Sequence, residues 1–274
     1  MLLPSGETIP VLGQGTWHLG VGRHSQEDEI AALRLGIDLG LTLIDTAGMY
    51  GDGASERLVG RAIRDRRDEA FVVTKVLPHH ATREGTIAAC QSSLARLGTD
   101  HVDLYLLHWR GAVPLEETIA GFTELVRAGA IRHWGVSNFD GADLDELMSL
   151  ADGRAVAANQ VLYNLAQRGI EWDLLPFCRQ RDLAVMAYSP IEQGRLLGHP
   201  ALRAIADAHG ATPAQVALAW AVRHDGVTAI PEAGRAEHVR ENHGALELDL
   251  SDSDLAALDH AFPPPGEPQP LEIR

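Results

Sequence analysis

Four residues among the first 108 carry groups suited to moving a proton: Asp45, Tyr50, Lys75 and His108. Asp45 closes the aliphatic stretch "LTLID" (41–45), Lys75 closes "FVVTK" (71–75) and His108 closes "VDLYLLH" (102–108). Each polar group thus stands at the end of an apolar run of strand length. A carboxylate in that position is costly unless it is paired. If the runs are neighbouring strands, about 5 Å apart, Asp45 and Lys75 meet as a buried ion pair. Such a pair adds little net stability, because desolvation offsets much of the attraction, so it makes better sense as a tool. Tyr50 is its target, since a five-residue excursion beyond Asp45 can fold the phenol back over Lys75. A free phenol ionises near pH 10, and lowering that by about two units takes about 2.7 kcal/mol, within reach of one close, partly desolvated ammonium. His108 would hydrogen-bond the same substrate oxygen or assist the transfer. The set reads as a device that delivers a proton to an oxygen on which negative charge develops.

The elements that must position these groups alternate along the chain. Strand candidates occupy 11–17, 41–45, 71–75, 102–108, 131–138, 157–161, 184–189 and 226–231, and helical periodicity fills 25–39, 54–65, 82–97, 115–128, 141–150, 171–181, 213–224 and 236–245. Thr82 with Gly85 and Gly98, and Thr212 before Pro213, mark helix ends. Eight strand and helix pairs in 274 residues predict an α/β fold, a single (β/α)8 TIM barrel over residues 1–274. "LLPSGETIP" reads as an N-terminal hairpin turning at Ser5-Gly6 to cap the barrel floor, and 251–262 as an extra C-terminal helix before a Pro-rich tail. A doubly wound open sheet uses the same alternation, but "GQGTWHLG" lacks the G-x-G-x-x-G spacing of its cofactor loop. In a barrel the site forms at the C-terminal strand ends. Those ends are polar on six consecutive strands: Asp45, Lys75, His108, Ser137-Asn138, Asn159-Gln160 and Tyr188-Ser189.

Bulk properties narrow the partners. With 23 Lys plus Arg against 38 Asp plus Glu, the formal charge of −15 disfavours nucleic-acid backbones and anionic membrane surfaces, leaving small molecules. No apolar run is long enough to span a bilayer and no basic, apolar leader opens the chain. Cys90 and Cys178 sit in helical patterns without C-x-x-C or zinc spacing, so buried free thiols and a cytoplasmic location are expected. The 13 His are scattered, and no metal site is expected. The expected assembly is a monomer or a weak homo-oligomer.

At these residues the chain resembles the aldo-keto reductases, nearly end to end. The resemblance rests on the order and spacing of "LGQGTW", "LIDTAGMYGDGASERLVGRAI", "FVVTK", "VDLYLLHW", "IRHWGVSNF", "NQVLYN", "AYSPI" and "AIPEAG" followed by "HVREN". It implies a barrel that binds a nicotinamide dinucleotide across its rim and reduces carbonyl substrates by hydride transfer. Carried over by position, Tyr50 is the proton donor, Lys75 and Asp45 the pair that lowers its pKa, and His108 the orienting group. Ser137, Asn138 and Gln160 match positions that hold the nicotinamide carboxamide, and Tyr188 the ring on which nicotinamide stacks. Thr16 and Trp17 lie beside cofactor and substrate. Ser189, Ile191, Gln193 and Gly194 match the loop over the pyrophosphate, and Glu241 and Asn242 face adenine. Trp17, Met49, Tyr50, His108 and Trp109 form the substrate mouth, whereas Trp134 reads as barrel packing. The short tail suggests an open site.

Glu232 departs from the pattern, standing where relatives often place a basic residue. It should repel the 2′-phosphate of NADPH or bond the free ribose hydroxyls of NADH, with Arg235, His238 and Arg240 near enough to compensate. NADPH is what the resemblance implies, and NADH is the alternative that Glu232 raises. Two other readings compete with the enzyme. A nicotinamide-binding regulatory module with little turnover would not need a tuned phenol. A metal-dependent barrel hydrolase would need more ligands at the strand ends than one His and one Asp beside a Lys.

Overall fold

The computed structural model describes all residues, 1–274. Eight parallel strands pair in sequence order: β1 (Gln14–Gly15), β2 (Leu43–Asp45), β3 (Phe71–Val76), β4 (Val102–Leu107), β5 (Ile131–Ser137), β6 (Ala158–Leu162), β7 (Ala184–Tyr188) and β8 (Val227–Ala229). Parallel bridges Leu12–Ala229 and Gly15–Glu232 join the last strand to the first and close the barrel. Side-chain alternation divides the core in two. Leu43, Phe71, Val73, Leu104, Leu106, Ala158, Ala184 and Met186 form one apolar cluster, the barrel interior. Ile44, Val72, Tyr105, Trp134, Val136, Val161 and Val185 join the larger cluster with the surrounding helices. Trp134 stacks on Phe122 at 5.2 Å, which is the packing role expected of it. The hairpin at the N-terminus is present, with Leu2 and Thr8 paired antiparallel, and it places Leu3 and Ile9 in the inner cluster as a floor.

The helices are α1 (Gln26–Asp38), α2 (Ala54–Ile63), α3 (Arg83–Leu97), α4 (Leu115–Arg127), α5 (Gly141–Ser149), α6 (Leu174–Gln180), α7 (Pro200–His209), α8 (Pro213–Ala221), α9 (Ala236–Gly244) and α10 (Asp252–Ala261). The expected ends hold: Thr82 caps Gly85, Gly98 ends α3 with φ +67°, and Thr212 with Gln215 forms a capping box before Pro213. Three expectations need correction. The first strand is two residues long, and Gly13 and Gly15 sit so close to β2 and the β8 extension that a Cβ would meet Leu43 and Ile230 at 2.7 Å. Helix α6 starts at Leu174, capped by Asp173, after a single 3-10 turn at 169–171. An unforeseen helix, α7, precedes α8 in the β7–β8 connection; its Pro200 start, Gly210 stop and buried Leu202, Ile205 and Ala206 were readable, but regular alternation left no place for a second helix there. Helix α10 runs close to the expected 251–262.

Candidate active site

On β2, β3, β4, β6 and β7 the inward-facing row turns polar at or just beyond the C-terminal end of the strand, at Asp45, Lys75, His108, Gln160 and Tyr188. Lys75 Nζ lies 2.8 Å from Asp45 Oδ2, and the two side chains are 0% and 3% exposed, so the expected pair is buried. The ammonium also donates to the Thr46 carbonyl at 3.0 Å and to Tyr50 Oη at 3.1 Å. Its three protons are thereby all committed. The other Asp45 oxygen accepts from Gln160 Nε2 at 2.7 Å. The loop carrying Tyr50 is pinned below by hydroxyls: Ser55 Oγ donates to Thr16, Thr46 Oγ1 bonds Ser55 Oγ at 2.9 Å, and Thr16 Oγ1 donates to the Asp45 carbonyl at 2.9 Å. The Thr16 hydroxyl, expected beside a cofactor, is spent on this internal network. Beneath it, fully buried Glu56 accepts from Thr74 at 2.6 Å and from Arg96 at 2.5 Å, tying α2 to β3 and α3.

Electrostatics correct one part of the expectation. Burial pushes the Tyr50 phenol above its ordinary pKa; Lys75 pulls it down but does not win, partly because Asp45 opposes it. Burial acts against charge on Lys75 as well, yet Asp45 and the phenol hold its pKa above the ordinary lysine value. The resting state is therefore a neutral phenol beside a charged ammonium. His108 is pushed down to about 3 by burial and then by Lys75, so its ring is neutral. No protein group bonds that ring, whose Nδ1 is buried without a partner, and it meets the Tyr50 ring edge-on at 6.0 Å. Around the pair, Trp17 and Met49 are each 45% exposed and Trp109 packs on His108 at 4.9 Å, which leaves an open, largely apolar mouth.

The cofactor candidates form a continuous arc on β5, β6 and β7. Ser137 Oγ donates to the Gln160 carbonyl at 2.8 Å, and Asn138, at φ +59°, donates to Ser137 Oγ and to the His108 carbonyl. Tyr188 Oη donates to Asn138 Oδ1 at 3.0 Å, fixing the ring. After it, Ser189, Glu192, Gln193 and Gly194 all have positive φ, a strained turn that neighbours must hold. Asn164 does so by donating to the Ser189 carbonyl and to Glu192, while Arg195 and Arg274 pair with Glu192. Asn164, Glu192 and Arg274 escaped the sequence reading; for Arg274 only the fold reveals that the tail folds back onto Tyr188. Across the rim, no side chain caps α9, and exposed Arg235 and His238 flank its start. Both stand by Glu237 of the first turn, at 3.5 Å from Arg235 and 3.8 Å from His238, so a phosphate at this helix N-terminus would take the two basic residues in exchange for that carboxylate. Glu241 and Asn242 lie further along the same helix. No three or more His, Cys, Asp or Glu are grouped to hold a metal ion.

Residues 11–262 match the model of the Aldo/keto reductase family. The chain belongs to that family. It is 51% identical over 271 residues to the methylglyoxal reductase YeaE of Escherichia coli, covering 97% of this chain and 95% of that one. A glyoxal reductase of Bacillus subtilis is 34% identical over 260 residues, covering 94% and 90%. An aldo-keto reductase from Klebsiella pneumoniae, solved in complex with NADPH, superposes with a TM-score of 0.97 at 49% identity, covering 99% and 98%. Membership carries the reaction class: the chain is an oxidoreductase that reduces aldehydes or ketones to alcohols with a nicotinamide cofactor. No observation favours the regulatory module. No helix is long and apolar enough to cross a membrane, and both cysteines are buried free thiols.

Proposed function

We propose that the protein reduces small aldehydes and ketones, with α-dicarbonyls of the methylglyoxal type foremost, using NADPH and Tyr50 as proton donor. The observation that carries the role of Tyr50 is the direction of one hydrogen bond. Lys75 Nζ has only donors, so at 3.1 Å it must give a proton to the phenolic oxygen. The phenol's own proton then points away from Lys75, towards the mouth between Tyr50 and His108.

A substrate carbonyl oxygen placed there accepts from Tyr50 and from the single N–H of neutral His108. NADPH, when bound, would supply the hydride to the carbonyl carbon. As charge builds on oxygen, Tyr50 yields its proton, and Lys75 stabilises the phenolate left behind. Asp45 keeps Lys75 charged. Water at the open mouth returns the proton. Ser137, Asn138 and Gln160 would hold the carboxamide, Tyr188 would be the stacking platform, and the strained 189–194 turn would cover the pyrophosphate. Compact substrates suit a mouth bounded by Trp17, Met49 and Trp109; the methylglyoxal and glyoxal activities of the relatives support this choice.

The test follows loss of reduced-nicotinamide absorbance with methylglyoxal, glyoxal and simple aldehydes, using the native protein and Tyr50→Phe. The variant should lose about 10²- to 10⁴-fold in kcat, as expected for removal of a positioned general acid, while its NADPH affinity stays within about twofold. Retained turnover would remove Tyr50 from the role.

A further inference from the structure

His18, which follows Trp17 at the end of β1, is a polar rim residue with no part in the chemistry above. Its backbone N–H donates to Glu232 Oε2 at 2.7 Å, and its imidazole Nδ1 lies 3.3 Å from Glu232 Oε1. The main chain of Glu232 is bridged to Gly15 across the β8–β1 seam. Both carboxylate oxygens are thus gathered onto the loop after β1, and both side chains are about one-quarter exposed. The acidic residue at 232 is not pointed freely at solvent.

We propose that His18 is a specificity-determining residue for the cofactor: it fixes the Glu232 carboxylate on the β1 side of the rim, so that this charge does not oppose a 2′-phosphate gathered at α9 by Arg235 and His238. The proposal rests on the NADPH reading above. It explains how an acidic residue after "IP" coexists with NADPH use. A glutamate has several rotatable bonds, and a carboxylate held at one oxygen only can swing and repel a nearby phosphate. The imidazole restrains the second oxygen.

Dissociation constants for NADPH and NADH, measured by fluorescence titration without substrate, test this in the native protein, His18→Ala, His18→Asn, Glu232→Ala and the His18→Ala/Glu232→Ala double variant. His18→Ala should lose about fivefold or more in NADPH affinity relative to NADH. His18→Asn places an amide N–H near the Nδ1 position and should keep the native ratio. In the double variant the effect of His18 should vanish, giving the ratio of Glu232→Ala alone. An unchanged ratio in His18→Ala overturns the proposal. So does an equal loss in the double variant, which would mean that His18 touches the phosphate itself. A native protein that prefers NADH would instead refute the NADPH reading, and the cycle would still report what His18 does to Glu232.

Discussion

Exchanging Asp45 for Asn separates a buried pair that serves chemistry from one that only braces the barrel. The amide keeps the shape and can still accept from Gln160, 2.7 Å from Oδ1. It leaves the inaccessible Lys75 ammonium with the Thr46 carbonyl at 3.0 Å and the Tyr50 phenol at 3.1 Å, and no anion. Removing one partner of a buried pair costs about 3–5 kcal/mol. At about 2–4 °C per kcal/mol for a chain of this size, the melting temperature falls by roughly 6–20 °C. The loss depends on pH. In the native protein the raised Lys75 pKa contributes stability that is complete below the ordinary lysine value and fades as pH climbs through the folded one. In the variant, burial without Asp45 depresses the folded pKa, so the unfolded chain binds more protons over the range below about pH 10, and stability rises with pH there. The gap between the two proteins therefore narrows between about pH 7 and pH 10. Circular-dichroism melts across that range, paired with NADPH oxidation by methylglyoxal at about pH 7, read both consequences; turnover should fall more than about tenfold, because Lys75 no longer stabilises the phenolate. Equal melting temperatures at neutral pH, or a gap that does not narrow, would refute the electrostatic account.

Because burial and Lys75 hold His108 near 3, kcat/KM should show no limb from this residue between about pH 5 and pH 8; an ionisation near pH 6.5 that disappears in His108→Gln would contradict its neutral state. The same depression makes the unfolded chain bind more protons below the ordinary histidine value, so His108 contributes to a loss of stability as pH falls below about 6.5, which acid titration of native and His108→Gln protein resolves. Turnover should survive dialysis against a chelator, since no ligand group of three is assembled; inhibition reversed by added metal would revive the hydrolase reading. Gly60 on α2 faces the end of α3 so closely that a Cβ would lie 2.2 Å from the Leu97 carbonyl oxygen. Gly60→Ala should therefore destabilise by more than about 1 kcal/mol in denaturant titration, despite the better helix propensity of alanine.

The convergence of Asp45, Tyr50, Lys75 and His108 was legible because each member ends or closely follows an apolar run whose length and order are visible in one dimension. Helix ends at Thr82, Gly98 and Thr212 were legible for the same local reason. What escaped depends on contacts between distant positions. Asn164 and Glu192 meet across 28 residues, His18 and Glu232 across 214, and Arg274 reaches Tyr188 from the far end of the chain. The sign of the Tyr50 shift escaped for another reason: the sequence identifies the ammonium that lowers the phenol pKa, but burial depth is a property of the folded rim. The expectation drawn from Glu232 treated its charge as free, whereas the fold supplies it with two donors.

One register accounts for both the core and the site. Two residues along the same inward row, Leu43 gives way to Asp45, Val73 to Lys75, Leu106 to His108, Ala158 to Gln160 and Met186 to Tyr188. The pairing keeps these inward rows in phase but staggers them: Asp45 opposes Val73, Lys75 opposes Leu106 and Gln160 opposes Met186, so each polar end stands beside an apolar residue two positions before the polar end of the next strand. A slip of one residue in β2 would turn Ile44 inward and drive Asp45 among the helices, away from Lys75. That slip would expose an apolar face and strand two charges at once, so the apolar alternation that stabilises the barrel also enforces the alignment of the polar rim. The desolvation cost of the Asp45–Lys75 pair is carried by this packing, which is why a pair of little net stabilising value can persist at the mouth of the barrel.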